Sequence, residues 1–138
     1  MPTTKYTGEE QYFSYDEIMD AMSQYLGNQV AGLALEEIAN WVSQELREKV
    51  MEAVCRRFAT MAATSYNQVA FLFNGLITVG ELYEFGKAYL TWNDLATKMD
   101  SMTEDQTLVA RMDIYYWEAG SGNSYTKYAK WKFYVIDN

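Results

Sequence analysis

The 138-residue chain contains no histidine, which removes the commonest general base, the commonest metal ligand and the side chain that titrates nearest neutral pH. Carboxylates are what remains for chemistry. Glu9-Glu10, Glu36-Glu37 and Glu104-Asp105 are adjacent pairs of the sort that perform glycosidic acid-base work or hold magnesium, but 19 acidic residues in a chain this short produce such pairs by composition alone. The single cysteine, Cys55, has no base near it in sequence and reads as a small apolar residue rather than a nucleophile. Neither "NGLITVG" (74–80) nor "GSGNS" (120–124) has the strand-to-helix flanks of a phosphate cradle, and there is no dinucleotide fingerprint, nucleophile elbow or calcium loop. No catalytic residue, metal site or cofactor is therefore assigned.

Two other sets of residues suit contact rather than catalysis. The net charge of −8 is unevenly spread: Glu81, Glu84, Asp94, Asp100, Glu104 and Asp105 are balanced only by Lys87 and Lys98, whereas the last strand-like segment is basic. Of these acidic residues, Asp94, Asp100, Glu104 and Asp105 are the candidate contacts. Carboxylates displayed on one face imitate nucleic-acid phosphates, which recur about every 1.7 Å of duplex axis. The second set is Tyr115, Trp117, Tyr128 and Tyr134, interleaved with Lys130 and Lys132. Such residues anchor protein interfaces or stack single-stranded bases; a chain with pI near 4.5 repels polyanions, so a protein contact is the expected use. The expected partner is a basic or nucleic-acid-binding protein, with no direct nucleic-acid or membrane binding.

These residues need elements to hold them. Apolar positions Leu35, Ala39, Val42, Leu46, Val50, Ala53 and Val54 recur at steps of three or four, predicting one long central helix over Leu33 to about Thr64, with Glu45/Lys49 and Glu52/Arg56 as supporting pairs. Unbroken, it would run about 45 Å, long for a domain of this size, so a kink or a stop near Ala59 to Ala63 is allowed for. Ser14 with Glu17 predicts a capped helix from Tyr15 to Leu26, closed by Gly27. Thr78 with Glu81 opens another helix carrying Leu82, Phe85, Tyr89 and Leu90, with Gly86 allowing a close crossing, and Thr91 with Asp94 opens a further one through Leu95 and Met99. Ser65 reads as the cap of a short buried helix that stops at Asn74-Gly75, with a buried strand as the alternative, an ambiguity that extends over Phe71 to Val79.

From Thr107 the period becomes two. Leu108, Ala110, Met112, Ile114 and Tyr116 form one alternate set, and Ala129, Trp131, Phe133 and Val135 a second, across a break containing Gly120 and Gly122. If Glu118 faces Tyr125, the two sets share a face and Asp113 lies across from Lys130. A two-stranded ribbon is marginal alone, so it must pack on helices, gain a third strand from the N-terminal segment, or pair with another copy. The expected fold is α+β, one domain over 1–138. Its helical N-terminal two-thirds surround the central helix and pack on a C-terminal antiparallel hairpin or small sheet.

No apolar run reaches the roughly 18 residues needed to cross a bilayer, and "MPTTKYTGEEQYF" lacks the basic and apolar regions of a signal peptide. The expected location is cytoplasmic, in a host's cytoplasm if the chain is viral. In size, acidity and lack of motifs the chain is similar to the small phage inhibitors of restriction or CRISPR nucleases, a compositional likeness that assigns no residue a role. It implies a non-enzymatic protein-binding inhibitor. The alternative is a structural or assembly subunit, of a virion or another homo-oligomer, in which the aromatic hairpin pairs between copies.

Overall fold

The computed structural model describes residues 3–41, 43–62, 78–119 and 124–138. Its frame is the long hairpin of β3 (Gln106–Ala119) and β4 (Ser124–Asp137), paired antiparallel with Glu118 opposite Tyr125 and Asp113 opposite Lys130, the register expected from alternation. Opposed residues share a face. Leu108, Ala110, Met112 and Ile114 with Ala129, Trp131, Phe133 and Val135 therefore form the inner side. Val109, Arg111, Asp113 and Tyr115 with Tyr128, Lys130, Lys132, Tyr134 and Ile136 form the outer side.

The N-terminal lead-in provides the third line of the sheet. β1 (Thr3–Tyr6) and β2 (Gln11–Ser14) both pair antiparallel with the opposite edge of β3 from β4. Tyr6 faces Ile114 and Gln11 faces Ala110, so residues 7–10 span the length that 111–113 cover on β3. The N-terminal line thus carries one extra residue, a bulge that divides it into two strands. A third line of strands is what makes the hairpin stable in place.

Five α-helices are described, and their residues meet the inner face of the sheet in one apolar core. α1 (Tyr15–Leu26) starts where the Ser14 hydroxyl accepts the Glu17 N–H at 3.1 Å, and it ends at Gly27, whose φ of 56° suits a residue without a side chain. Phe13, Ile18, Met22 and Leu26 are buried there.

The single long helix expected from Leu33 to Thr64 is two helices. α2 (Leu35–Ala39) closes at Asn40, and α3 (Gln44–Ala62) restarts after Ser43, whose hydroxyl accepts the Leu46 N–H at 3.4 Å. A break falls at the N-terminal end, and the described part of α3 ends at Ala62, inside the stretch from Ala59 to Ala63 where a stop is allowed for. The cause of the break is local chemistry that periodicity overlooks. Asn40 donates through Nδ2 to the Glu36 carbonyl, and the Tyr15 hydroxyl accepts the Leu35 N–H at 3.1 Å, so both ends of the short helix are satisfied separately.

The stripe itself survives across the break. Leu35, Ala39, Val50, Ala53, Val54, Cys55 and Phe58 are buried, while Val42 lies outside the described residues. The pairs Glu45–Lys49 and Glu52–Arg56 form at 3.7 and 3.3 Å. At about 0.3–0.5 kcal/mol each they are minor beside the roughly 1.5–3 kcal/mol from burying each of Val50, Val54 and Phe58.

α4 (Val79–Lys87) is capped by the Thr78 hydroxyl, which accepts the Glu81 N–H at 3.1 Å, and α5 (Trp92–Ser101) follows Thr91. α4 stops two residues short of Tyr89, which is exposed, while Leu90 is buried from the turn beyond it. Gly86 is the close crossing: a Cβ there would meet Trp131 Cζ2 at 3.0 Å and Met112 Sδ at 3.3 Å, and its carbonyl accepts the Trp131 indole N–H at 3.0 Å. Residues 63–77, including the ambiguous segment from Ser65, lie outside the described residues. Among the described residues, no helix is long and apolar enough to cross a membrane.

Candidate functional site

The eight candidate contacts fall into separate places. Asp100, Glu104 and Asp105 lie together where α5 turns into β3, all exposed. Asp94 stands apart in the first turn of α5, six residues and so about 9 Å and 240° round the helix from Asp100. There it accepts the Thr91 hydroxyl at 2.8 Å and borders an open cleft of about 340 Å³ floored by Trp131 and Phe133. Tyr115 and Tyr128 stack across β3 and β4, ring centroids 5.0 Å apart and planes within 12°. Trp117 is in β3, with its side chain outside the described residues. Tyr134 is at the other end of the hairpin, close to the acidic turn. From Asp105 to Tyr115 is ten residues of strand, about 33 Å.

Packing enlarges the acidic group in a way that sequence order hides. α2 lies against α5, and Asn40 Nδ2 joins them: it donates to the Glu36 carbonyl at 2.7 Å and to the Asp100 carboxylate at 3.0 Å. Glu36 and Glu37, which read in sequence as a chance pair, thereby stand on the helix tied to Asp100, and both are exposed. Glu37 also receives the Ala34 N–H at 3.5 Å, an orienting contact at the helix start. Five exposed carboxylates thus belong to the α2–α5 pair and the turn that follows it.

The outer face of the sheet carries a different chemistry, and two of its features escaped the sequence reading. The first is an arch. Tyr12 and Tyr134 sit opposite Val109 on its two neighbouring strands. Their hydroxyls donate to the two oxygens of Glu10, at 2.9 and 2.5 Å. The tyrosines are 51% and 39% exposed, yet Val109 between them is 0% exposed. The two rings, leaning together on one carboxylate, cover it. The hydrogen bonds from Tyr134 first and Tyr12 second hold the Glu10 carboxyl below its ordinary value, and the same bonds raise both phenols. Ile136, 39% exposed, continues this patch beside Tyr134.

The second feature is Asp113, fully buried on the outer side. It takes the Gly8 N–H at 3.1 Å from the bulge. It also faces Arg111, whose Nη2 donates at 3.2 Å and whose Nε lies 3.0 Å away off the N–H direction, an ionic rather than hydrogen-bonded contact. Lys132 Nζ is 3.6 Å from it. The alternation foresaw Asp113 across from Lys130 but not that the carboxylate would pin the N-terminal bulge. Lys130 Nζ stands 5.5 Å from the Tyr115 ring, close enough for a cation–π contact.

Cys55 is core: burial pushes its thiol up to about 12, and Sγ lies 3.6 Å from the Tyr83 carbonyl. Among the described residues, no three of the Cys, Asp and Glu side chains are grouped to hold a metal ion. A cleft of about 500 Å³ between α3 and the end of α4 is lined by Glu45, Glu48, Lys49, Glu52 and Lys87, of which Glu45 pairs with Lys49 and Glu52 with Arg56 along α3. No family model matches the chain, and neither a curated protein nor a solved structure proves similar to it.

Proposed function

We propose that the chain is a non-enzymatic protein-binding protein that docks on a basic partner, in the first instance a nucleic-acid-handling enzyme in the cytoplasm. It acts there as an inhibitor of the nucleic-acid-mimic kind. The observation that carries this reading is the junction made by Asn40, which ties α2, with its exposed Glu36 and Glu37, to Asp100 at the end of α5, just before the exposed Glu104 and Asp105. Exposed carboxylates held on helices, with few cations between them, offer a basic groove the charge it would otherwise take from phosphates. Lys98 is the one basic residue of α5 and none lies in α2, so little competes for that groove locally.

The test is capture from a nuclease-treated lysate with a salt-gradient elution. The wild-type chain is expected to retain a nucleic-acid enzyme that elutes over moderate salt, because screening weakens exposed charge contacts. The combined variant Asp100→Lys, Glu104→Lys, Asp105→Lys is expected to lose it while remaining folded by circular dichroism. Undiminished capture by that folded variant would refute the reading.

A further inference from the structure

The sheet's outer face is the second surface with a composition of its own. Three of the exposed large apolar side chains, Tyr12, Tyr134 and Ile136, adjoin one another at its base. Beside them the middle of the face presents Lys130, Lys132 and Arg111 around the buried Asp113. Among the described residues, all the helices lie on the other side of the sheet. Tyr12 and Tyr134, whose hydroxyls are already tied to Glu10, and Tyr115 and Tyr128, whose rings are already stacked, lose little freedom on docking.

The charge pattern selects what can sit there. A symmetric sandwich of two such faces would place its two-fold axis near the middle of the face. The lysines and arginine of both copies would then crowd two carboxylates, an arrangement that costs several kcal/mol on the order usual for like charges. The occupant must bring carboxylates to Lys130 and Lys132. The chain's own α2–α5 junction has them, with Glu36, Glu37 and Asp100 on helices of the opposite layer and Glu104 and Asp105 in the exposed turn that leads into β3.

We infer that the outer sheet face docks the acidic α2–α5 junction of a second copy, a head-to-tail contact between unlike surfaces. The inference rests on the acidic junction being a docking surface, as proposed above. The described face, from Val109 to Tyr115 with one residue beyond at either end, is about 30 Å long and three strand spacings, roughly 14 Å, wide, a footprint on the order of 400 Å² per copy. Twice that is below the roughly 1,200 Å² at which stable specific interfaces begin, so association is reversible, weak and salt-sensitive.

Light scattering on two neutralised variants tests it. One is Lys130→Gln with Lys132→Gln, which spoils the sheet face; the other is Asp100→Asn, Glu104→Gln and Asp105→Asn, which spoils the junction. Wild-type protein at low salt is expected to rise above its 16.0 kDa monomer mass as concentration approaches about 1 mM. Each variant alone is expected to stay monomeric. Their equimolar mixture is expected to reach twice the monomer mass and no more, since each contributes one intact surface.

Lys130→Gln alone, which leaves the Lys132–Asp113 contact in place and gives up only an exposed cation–π contact, is expected to weaken association while the protein stays folded. A wild type that stays monomeric, a variant that dimerises alone, or a mixture that fails to pair overturns the inference. So does outer-face binding of a labelled single-stranded oligonucleotide in place of self-association. Failure here is distinct from failure of the proposed function: the sheet-face variant should still capture the basic partner, whatever the mixture does.

Discussion

The helical layer and the strands divide the charge of the chain very differently. Residues 15–105 contain fourteen acidic and six basic residues, the whole net charge of −8, whereas the strands with their connections contain five of each. The physical origin lies in how each element is covered. Each helix buries one stripe and turns a wide polar face to solvent, where the acidic residues sit. The three-line sheet buries one side on those helices and must furnish the other with side chains that satisfy themselves. It does so with tyrosine hydroxyls on Glu10 and cations on Asp113. A chain-wide charge is therefore a poor guide to what either surface attracts.

The two regions meet in one core, and the largest expected effect comes from opening it. Phe58→Ala removes the ring that meets Trp131 edge-on at 4.5 Å. It should cost about 3–5 kcal/mol in urea unfolding, a single loss shared by helices and sheet. Next is Asp113→Ala, which affects the sheet alone. It leaves Arg111 and the Gly8 N–H without their carboxylate, but both cations reach water, so about 2 kcal/mol is expected rather than the full cost of a buried unpaired charge. Hydrogen exchange should accelerate first in β1 and the bulge. Protection of β1 equal to wild type would show that the carboxylate does not hold that line.

Gly86→Ala probes the seam between the layers. With a Cβ only 3.0 Å from Trp131, about 1–3 kcal/mol of overpacking is expected, together with a shift in tryptophan emission. The smallest effect sharpens the account of the outer face. Tyr134→Phe removes the main cause of the lowered Glu10 carboxyl, so an NMR titration should find that carboxyl moved back towards 4.5. A depressed folded value means a stabilising contribution that is present above the unfolded value and lost as pH falls through the folded one. The variant should accordingly lose part of the stability difference only above that acid window and match wild type below it. An unmoved Glu10 titration would mean the arch does not persist in solution.

Much of this fold is legible in the residues. Alternation from Leu108 to Tyr116 and from Ala129 to Val135 suffices for the hairpin and its register, because a one-residue slip would turn every apolar side chain outward. The Ser14 and Thr78 caps, and the close crossing at Gly86, follow from short-range chemistry in the same way. The helix break at Asn40 to Ser43 is less visible: the apolar stripe runs through it, and only the side-chain bonds of Asn40, Ser43 and Tyr15 mark it.

The candidate site is legible in parts. Asp100, Glu104 and Asp105 are neighbours in sequence and in space. Glu36 and Glu37 join them only through a tertiary contact 60 residues apart. Tyr12, Ile136 and the part Glu10 plays between the tyrosines are not legible, because the arch needs the N-terminal line to register against Val109, which alternation in β3 and β4 does not determine. The one signal available was Glu10 with Tyr12, an i,i+2 pair on an extended segment, too common to single out.

The most direct test of the central claim, that the acidic α2–α5 junction is the surface that receives a basic partner, is an NMR titration of ¹⁵N-labelled protein with a short oligolysine peptide. With the protein dilute enough to be monomeric, the account predicts salt-sensitive amide shifts concentrated in α2, at the C-terminal end of α5 and in residues 102–105, with the outer-face positions from Val109 to Tyr115 unmoved. Shifts spread evenly over every helix, or centred on the sheet, would contradict it.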